Sequence, residues 1–173
     1  LDRPEVSVVD ASWSLATARA HLSQRAAVVA DGRESLLTGL AALAVGEPGV
    51  GVFAGSPVSG KTAFLFPGQG AQRAGMGVAL AGVYPRFAEA LDEVCAELDA
   101  RLGRSVRGLL AASVGSVEAG LLDATEFTQA GLFAVEVALY RLVESFGVRA
   151  DYLIGHSVGE IAAAHVAGVL SLS

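Results

Sequence analysis

The segment 155–159, with the sequence GHSVG, has the residue types and spacing of a nucleophile elbow, a sharp turn that presents a reactive serine. It lies between an apolar run typical of a strand, 148–154, and an alanine-rich run typical of a helix, 161–172. A turn this sharp needs little or no side chain two residues before and two residues after the serine, where the two glycines stand. The pattern predicts that Ser157 is a nucleophile and that the amide of Val158 points at the atom under attack.

A serine becomes a nucleophile only with the help of a base, and the chain has three histidines. His156 is next to Ser157 in the sequence. Because neighbouring side chains of an extended segment face opposite ways, its ring cannot easily reach the Ser157 oxygen. His165 lies eight residues along the predicted helix, a rise of about 12 Å. His21 belongs to the N-terminal spacer unit, where a histidine is more often structural than catalytic. None of the three is therefore placed as a base. Because the acid and the histidine follow the serine in hydrolases with this elbow, we expect the base beyond Ser173.

A second candidate for chemistry is the loop PGQG at 67–70, which follows the apolar run TAFLF. That run predicts a buried central strand, and ligand chemistry in open α/β sheets collects beyond the carboxyl ends of such strands. Gly68 and Gly70 permit a sharp turn that leaves the amide of Gln69 pointing outward. Acyl transfer to a serine needs two donors for the tetrahedral oxyanion, and we assign them to the amides of Gln69 and Val158.

The residues from 62 onward supply the elements that position these groups. Apolar spacing predicts an amphipathic helix over 84–102, in which Cys95 packs, and a long helix over 129–145. Gln129 begins the long helix, where it either reaches the site or caps the helix. Most of this helix is expected to be buried, because its polar residues form a narrow stripe: Glu136, Arg141 and Glu144.

The first part of the chain predicts a helix–strand–helix–strand unit without a constellation of polar side chains, which favours a packing or spacer role. The predicted elements cover 10–22, 24–30, 33–45 and 50–54. Asp10 or Ser12 is expected to cap the first helix, and Asp31 suits the cap of the second. Residues 1–4 contain no initiator methionine, and we expect the chain to be a piece of a longer protein.

Residues 55–62, GSPVSGKT, match the phosphate-loop pattern G-x-x-x-x-G-K-[ST]. That pattern binds phosphate only where its last two residues open a helix whose amides and dipole receive the anion. Here Thr62 leads into the predicted strand, and Pro57 lies inside the loop. We therefore predict a polar linker instead of a nucleotide site.

The composition limits the class of protein. The 173 residues are 53% hydrophobic and 17% charged, which is ample for a buried core and suggests some apolar surface covered by further chain. A net charge of −6 without a basic cluster argues against nucleic-acid binding. One cysteine fits a reducing compartment, and the absence of a leader or a long apolar run predicts a cytoplasmic protein that does not cross a membrane.

Three motifs in order carry a family resemblance. They are FLFPGQGAQ at 64–72 with GMG at 75–77, TQAGLFA at 128–134, and GHSVGE at 155–160. The sequence resembles the acyltransferase domain of modular (type I) polyketide synthases and, more broadly, malonyl-CoA:acyl-carrier-protein transacylases. Residues 1–61 resemble, less closely, the linker that joins the ketosynthase to the acyltransferase in these proteins.

The resemblance implies an α/β fold in two parts. Residues 1–61 would form a partial α/β linker subdomain, and residues 62–173 the N-terminal part of an α/β-hydrolase-like core with a parallel sheet, truncated after the elbow. The small ferredoxin-like subdomain of the family, its base histidine and the arginine that grips the extender carboxylate are expected after Ser173.

The resemblance also implies the reaction. Ser157 would take an extender unit from coenzyme A and pass it to the phosphopantetheine thiol of an acyl carrier protein, in polyketide (antibiotic) biosynthesis. The amides of Gln69 and Val158 would form the oxyanion hole, and the branched side chain of Val158 is typical of malonyl-selective domains. The other substrate-site residues implied are Gln129, His156, Gly68 and Gly70, with His156 shaping the elbow and not acting as the base.

No bound cofactor and no metal are implied, since acyl-CoA is a substrate and phosphopantetheine the acceptor. The implied partners are the carrier protein, the adjacent ketosynthase, the remainder of the acyltransferase chain and a second copy of a homodimeric parent. We expect the fragment alone to be inactive, because no base is placed. Two alternatives stay open: a serine hydrolase such as a thioesterase, which shares the elbow, and a non-catalytic docking piece.

Overall fold

The computed structural model describes residues 5–173; residues 1–4, on which the expectation about the chain start depends, lie outside them. The chain divides into two compact units, Leu1–Gly60 and Lys61–Ser173. The first contains α1 (Val8–Ala18), β1 (Arg25–Val28), α2 (Arg33–Val45) and β2 (Val52–Gly55). The two strands pair antiparallel, with Arg25 opposite Gly55 and Val28 opposite Val52. The predicted order helix–strand–helix–strand is therefore confirmed.

The predicted bounds of the first helix were wrong at both ends. The cap is Ser7, whose hydroxyl accepts a hydrogen bond from the amide of Asp10 at 3.3 Å, so α1 begins before either predicted cap. It ends at Ala18, because the backbone is already extended at Arg19 on the way to β1. Ser7, three residues before Asp10, supplies the same kind of side-chain oxygen as the predicted caps, and the pattern alone does not choose between them.

The second helix has the predicted bounds but a different cap. Gly32 is the N-cap residue, and the Ser35 hydroxyl accepts a hydrogen bond from its amide at 3.2 Å. Asp31 does not cap the helix itself but accepts a hydrogen bond from the Ser35 hydroxyl at 2.6 Å. This bond holds the pKa of the Asp31 carboxyl below its ordinary value. The helix ends at Gly46, whose φ of 73° is the left-handed conformation that glycine favours.

The second unit has two strands and six helices in its described structure. They are β3 (Ala63–Phe66), α3 (Val78–Val83), α4 (Pro85–Leu102), α5 (Val106–Leu110), α6 (Val117–Leu121), α7 (Thr125–Ser145), β4 (Tyr152–Gly155) and α8 (Val158–Val166). Strands β3 and β4 are parallel neighbours, with Ala63 opposite Tyr152 and Phe66 opposite Gly155. Helices α4, α7 and α8 supply most of the buried apolar side chains of the core.

The start of the β3–β4 pair uses the residues of the phosphate-loop lookalike. The Asp151 carboxylate accepts hydrogen bonds from the Lys61 ammonium and the Thr62 amide, both at 2.8 Å. These contacts, with Lys61 the larger cause, hold the pKa of Asp151 below its ordinary value. Thr62 leads into β3 and not into a helix, so no helix N-terminus receives a phosphate here. The lysine and threonine instead join the two strands.

Helix α7 differs from its prediction in two ways. It begins at Thr125 after the N-cap residue Ala124, so Gln129 lies in the second turn and does not cap the helix. The additional turn forms because Phe127 and Thr128 are buried, and the Thr128 hydroxyl donates to the carbonyl of Leu122.

The predicted polar stripe of α7 is the second difference. Arg141 and Glu144 pair with each other at 3.2 Å on the outside of the helix. Glu136 is instead 9% exposed and belongs to the buried side. Its neighbours one turn away on the same face are Leu132 and Tyr140, so the helical period places Glu136 in an apolar row.

Cys95 packs in the core, as predicted, with 2% of its surface exposed. Burial, and after it the nearby Asp99 carboxylate, raises the pKa of its thiol to about 12. Because only the thiolate reacts, iodoacetamide at pH 8 should alkylate the folded chain at least about a hundredfold more slowly than the chain in denaturant. Mass spectrometry over time measures both rates, and similar rates would show that Cys95 is accessible.

Candidate active site

Ser157 has a strained backbone. Its φ of 56° and ψ of −123° make it the single residue other than glycine with a positive φ between residues 5 and 173. Such a conformation costs about 1–3 kcal/mol and persists only where the surroundings impose it. The side chain is exposed, and its hydroxyl makes no hydrogen bond within the described part of the chain. The serine is thus held at the tip of the turn between β4 and α8 with its oxygen free.

Two glycines allow this turn because backbone occupies the space of a side chain. A Cβ atom on Gly155 would lie 2.3 Å from the Cα of Glu160. A Cβ atom on Gly159 would lie 2.2 Å from the carbonyl oxygen of Phe66. Distances this short do not occur for real side chains, so the first turn of α8 packs directly on the strand ends as backbone against backbone. This is the physical reason for the G-x-S-x-G spacing.

The loop after β3 approaches the same turn. The amide of His156 donates to the carbonyl of Phe66 at 3.0 Å, extending the β3–β4 pairing by one bond. A Cβ atom on Gly68 would lie 2.6 Å from His156 Nδ1, so this glycine gives room to the histidine ring. Gly70 alone of the two loop glycines has the left-handed conformation, with φ 125°. The expectation that both permit a sharp turn therefore applies to Gly70, while Gly68 is required by close contact.

Two backbone amides near the serine have no hydrogen-bond partner in residues 5–173. One belongs to Val158, the first residue of α8, where a helix leaves its amides unpaired. The other belongs to Gln69, three residues beyond the end of β3. Since Phe66 and Gly155 are opposite each other in parallel strands, both loops leave the sheet at the same edge. The arrangement places the Val158 amide and the positive end of α8 next to Ser157, and the Gln69 amide on the loop that leaves the sheet at the same end.

In the described part of the chain, the contacts of the histidines do not involve the Ser157 hydroxyl. His165 Nδ1 lies 3.1 Å from the carbonyl oxygen of Leu170, and its ring lies 5.8 Å from that of Phe133. His156 packs over Gly68 as described, and His21 belongs to the other unit. No hydrogen bond joins a histidine to the Ser157 hydroxyl within the described residues.

The structure thus brings most of the predicted site residues to one sheet edge: Gly68, Gln69, Gly70, His156, Ser157 and Val158. Gln129 lies on α7, which packs against α8, and is partly buried. Thr128 was named in the TQAGLFA motif without a role; it is fully buried beside Gln129 and anchors that turn of α7 to Leu122. Residues 5–173 contain no cluster of side chains suited to a metal ion and no helix long and apolar enough to cross a membrane.

Comparison with known proteins gives a consistent result. Residues 63–173 match the family described as the acyl transferase domain. The spectinabilin polyketide synthase system protein NorB of Streptomyces orinoci is 53% identical over 163 residues, which are 94% of this chain and 8% of that protein. Polyketide synthase GfsA of Streptomyces halstedii is also 53% identical, over 95% of this chain and 2% of its own length.

A solved structure shows the same fold. The acyltransferase domain from module 8 of the salinomycin polyketide synthase superposes with a TM-score of 0.88 at 40% identity, covering 99% of this chain and 40% of that one. The present chain therefore spans less than a tenth of each of the two relatives named and about two fifths of this solved domain.

Proposed function

The chain belongs to the acyl transferase domain family, homologous to modular polyketide synthases, and from this premise we propose that Ser157 carries an acyl group from coenzyme A to an acyl carrier protein. The observation that carries the proposal is the backbone of Ser157, strained and exposed at the end of β4. A fold maintains strain of this kind where a side chain must be presented in one direction. The parallel register of β3 and β4 supports the assignment of oxyanion donors to Gln69 and Val158.

The proposed reaction has two halves. In the first, Ser157 Oγ attacks the thioester carbonyl of acyl-CoA while a base takes its proton, and the amides of Gln69 and Val158 bind the tetrahedral oxyanion. The C–S bond then breaks, and the coenzyme A thiol leaves with the proton. In the second half the phosphopantetheine thiol of the carrier protein attacks the Ser157 ester, and the serine regains its proton. No cofactor or metal takes part, and we place the base and the extender-binding arginine outside residues 1–173.

We further propose malonyl as the extender unit. Val158 is 6% exposed, with its side chain in the core behind the elbow. Because its side chain is buried, Val158 would not contact the acyl group directly. It would instead influence which acyl group binds by setting the position of the turn that carries Ser157. Gln129, on the helix beside α8, is the proposed side-chain contact in the substrate site.

The remaining proposals concern the parent protein. Residues 1–61 are proposed to dock the acyltransferase against an adjacent ketosynthase, residues 62–173 to form the hydrolase-like part, and the parent to be a cytoplasmic homodimer. The docking role, the hydrolase-like part and the homodimer follow from the family resemblance of the motifs, and the cytoplasmic location follows from the single cysteine. All are separable from the chemistry of Ser157.

The reaction is testable by intact-mass analysis of the full acyltransferase domain with malonyl-CoA. We expect one malonyl adduct, formed faster than the adduct from methylmalonyl-CoA. Ser157→Ala should reduce adduct formation by at least about a thousandfold, since the attacking oxygen is removed. Ser113→Ala, which changes an exposed serine elsewhere, is the matched control and should behave as the unmodified protein.

An experiment with added carrier protein distinguishes acyl transfer from hydrolysis. Adding it in its phosphopantetheine form should move the malonyl group from Ser157 to the carrier thiol. Rapid loss of the adduct to water without the carrier would identify a hydrolase instead, and an adduct that persists in Ser157→Ala would exclude this serine as the nucleophile. The 173-residue chain alone is expected to form no adduct.

A further inference from the structure

The side chain of Gln72 holds the turn in the loop after β3. The amide of Gly70 donates a hydrogen bond to Oε1 of Gln72 at 2.8 Å. Gly70 has a φ of 125°, a conformation that residues with a side chain rarely adopt. Because glycine restrains its own backbone less than any other residue, the peptide group between Gln69 and Gly70 needs a further contact to keep one direction. The Gln72 side chain supplies such a contact.

The peptide group before Gln69 is held by a different residue, His156. A Cβ atom on Gly68 would lie 2.6 Å from His156 Nδ1 and 3.0 Å from the His156 carbonyl oxygen, so the backbone at Gly68 packs directly on this residue. Gln69 thus lies between one peptide group held by packing and one held by a hydrogen bond. Since both planar groups meet at its Cα atom, they set the direction of the Gln69 N–H together.

Gln72 is itself supported by the chain that follows it. The amide of Gly75 donates to the carbonyl of Leu110 in α5 at 2.7 Å, and the next residue, Met76, is buried in the core. Gln72 lies three residues before Gly75 and is half-buried. A side chain that is already restricted loses less conformational entropy when it forms a hydrogen bond. The Gln72 oxygen is therefore a fixed acceptor and not a mobile surface amide.

We propose that Gln72 is a positioning residue for acyl transfer, which fixes the peptide group after Gln69 and so directs the Gln69 amide toward the oxyanion. This inference rests on the proposed function of Ser157 and adds a residue that acts only through Gln69. Removal of a whole oxyanion donor typically lowers the rate of the chemical step by about a hundred- to a thousandfold. Without Gln72 the donor is still present but free to turn, so we expect a smaller loss, of about tenfold or somewhat more.

The rate of acylation of the full acyltransferase domain by malonyl-CoA, measured by quenched-flow mixing and intact mass, tests the proposal. Gln72→Met keeps the length of the side chain and removes the acceptor oxygen. We expect the rate constant at saturating malonyl-CoA to fall about tenfold or more, with the half-saturating concentration changed by less than about threefold. Gln24→Met, at an exposed glutamine of the first unit, is the matched control and should leave both quantities unchanged.

A conservative variant separates loss of the hydrogen bond from general damage to the loop. Gln72→Glu retains an acceptor oxygen at the same distance from the backbone. At about 0.5 M salt, which screens the added charge, its rate constant should lie within about threefold of that of the unmodified domain.

The Gly70 amide reports the contact directly. Its hydrogen-exchange rate, measured by NMR on the isotope-labelled domain, should rise about threefold or more in Gln72→Met and return in Gln72→Glu. This measurement is also decisive without a variant. A Gly70 amide that exchanges in the unmodified domain as fast as in an unstructured peptide would overturn the proposal, even if Gln72→Met failed to fold.

The outcomes distinguish this inference from the proposed function. Equal acylation rates of Gln72→Met and the unmodified domain would overturn the positioning role while leaving acyl transfer through Ser157 intact. The same holds if Gln72→Glu protects the Gly70 amide again but acylates as slowly as Gln72→Met. If the unmodified domain formed no adduct on Ser157, the proposed function would be contradicted and this inference with it.

Discussion

Replacing Gly159 by alanine is expected to destabilise the second unit by roughly 3 kcal/mol or more, because the new methyl group would have to occupy backbone space. Its Cβ would lie 2.2 Å from the Phe66 carbonyl oxygen and 2.7 Å from that of Pro67. Neither atom belongs to a flexible side chain, so α8 would have to move away from β3. Urea unfolding followed by circular dichroism measures the loss.

Gly82→Ala is the control for this variant. Gly82 lies in α3, and a Cβ added there meets no atom within 4 Å. Alanine in a helix is favoured over glycine, so this change should leave stability the same or raise it by up to about 1 kcal/mol. If both variants unfolded at the same urea concentration as the unmodified chain, the close contact between α8 and β3 would not exist in solution.

Glu136→Gln is expected to stabilise the chain above pH 7 and to change little at pH 4. Burial raises the pKa of Glu136 from its ordinary value of 4.5 to about 7. Between these values the unfolded chain releases the proton while the folded chain keeps it, so the free energy of unfolding falls as pH rises and levels off above about pH 7. Glutamine has no proton to release, and at pH 8 the variant should be more stable by on the order of 2 kcal/mol.

Unfolding in urea at several pH values between 4 and 8 provides the measurement. Glu118→Gln removes a carboxylate that is exposed on α6, and its stability should follow that of the unmodified chain at every pH. A difference between Glu136→Gln and the unmodified chain that is constant across the range would mean that Glu136 is ionised throughout and has a donor in solution.

The elbow was predictable from the sequence because its requirement is local. Glycines two residues before and two residues after the serine predict a turn in which backbone atoms pack directly against each other. The structure shows these contacts at Gly155 and Gly159. The loop glycines were predicted for one common reason, but Gly68 is required by the His156 ring, which belongs to a distant segment. A contact between segments is not visible in the spacing of either one.

The two misassigned features of α7 have different origins. Polar side chains generally lie outside, and this rule placed Glu136 on the exposed stripe with Arg141 and Glu144. The helical period nevertheless predicts that Glu136 lies on the apolar face, since Leu132 and Tyr140 are one turn before and after it. The early start at Thr125 could not be found this way, because burial of Phe127 and Thr128 depends on how the preceding segment packs.

The Phe66 carbonyl described above receives the His156 amide and lies against Gly159, so the loop after β3 and the elbow share one atom as their support. This has a consequence for chimeras made from related acyltransferase domains. A chimera that exchanges 67–77 without 155–160 would combine two contacting segments from different domains, and their side chains and backbones would not be matched to each other. The two segments form one cassette, and recombination borders belong before β3 and after the first turn of α8.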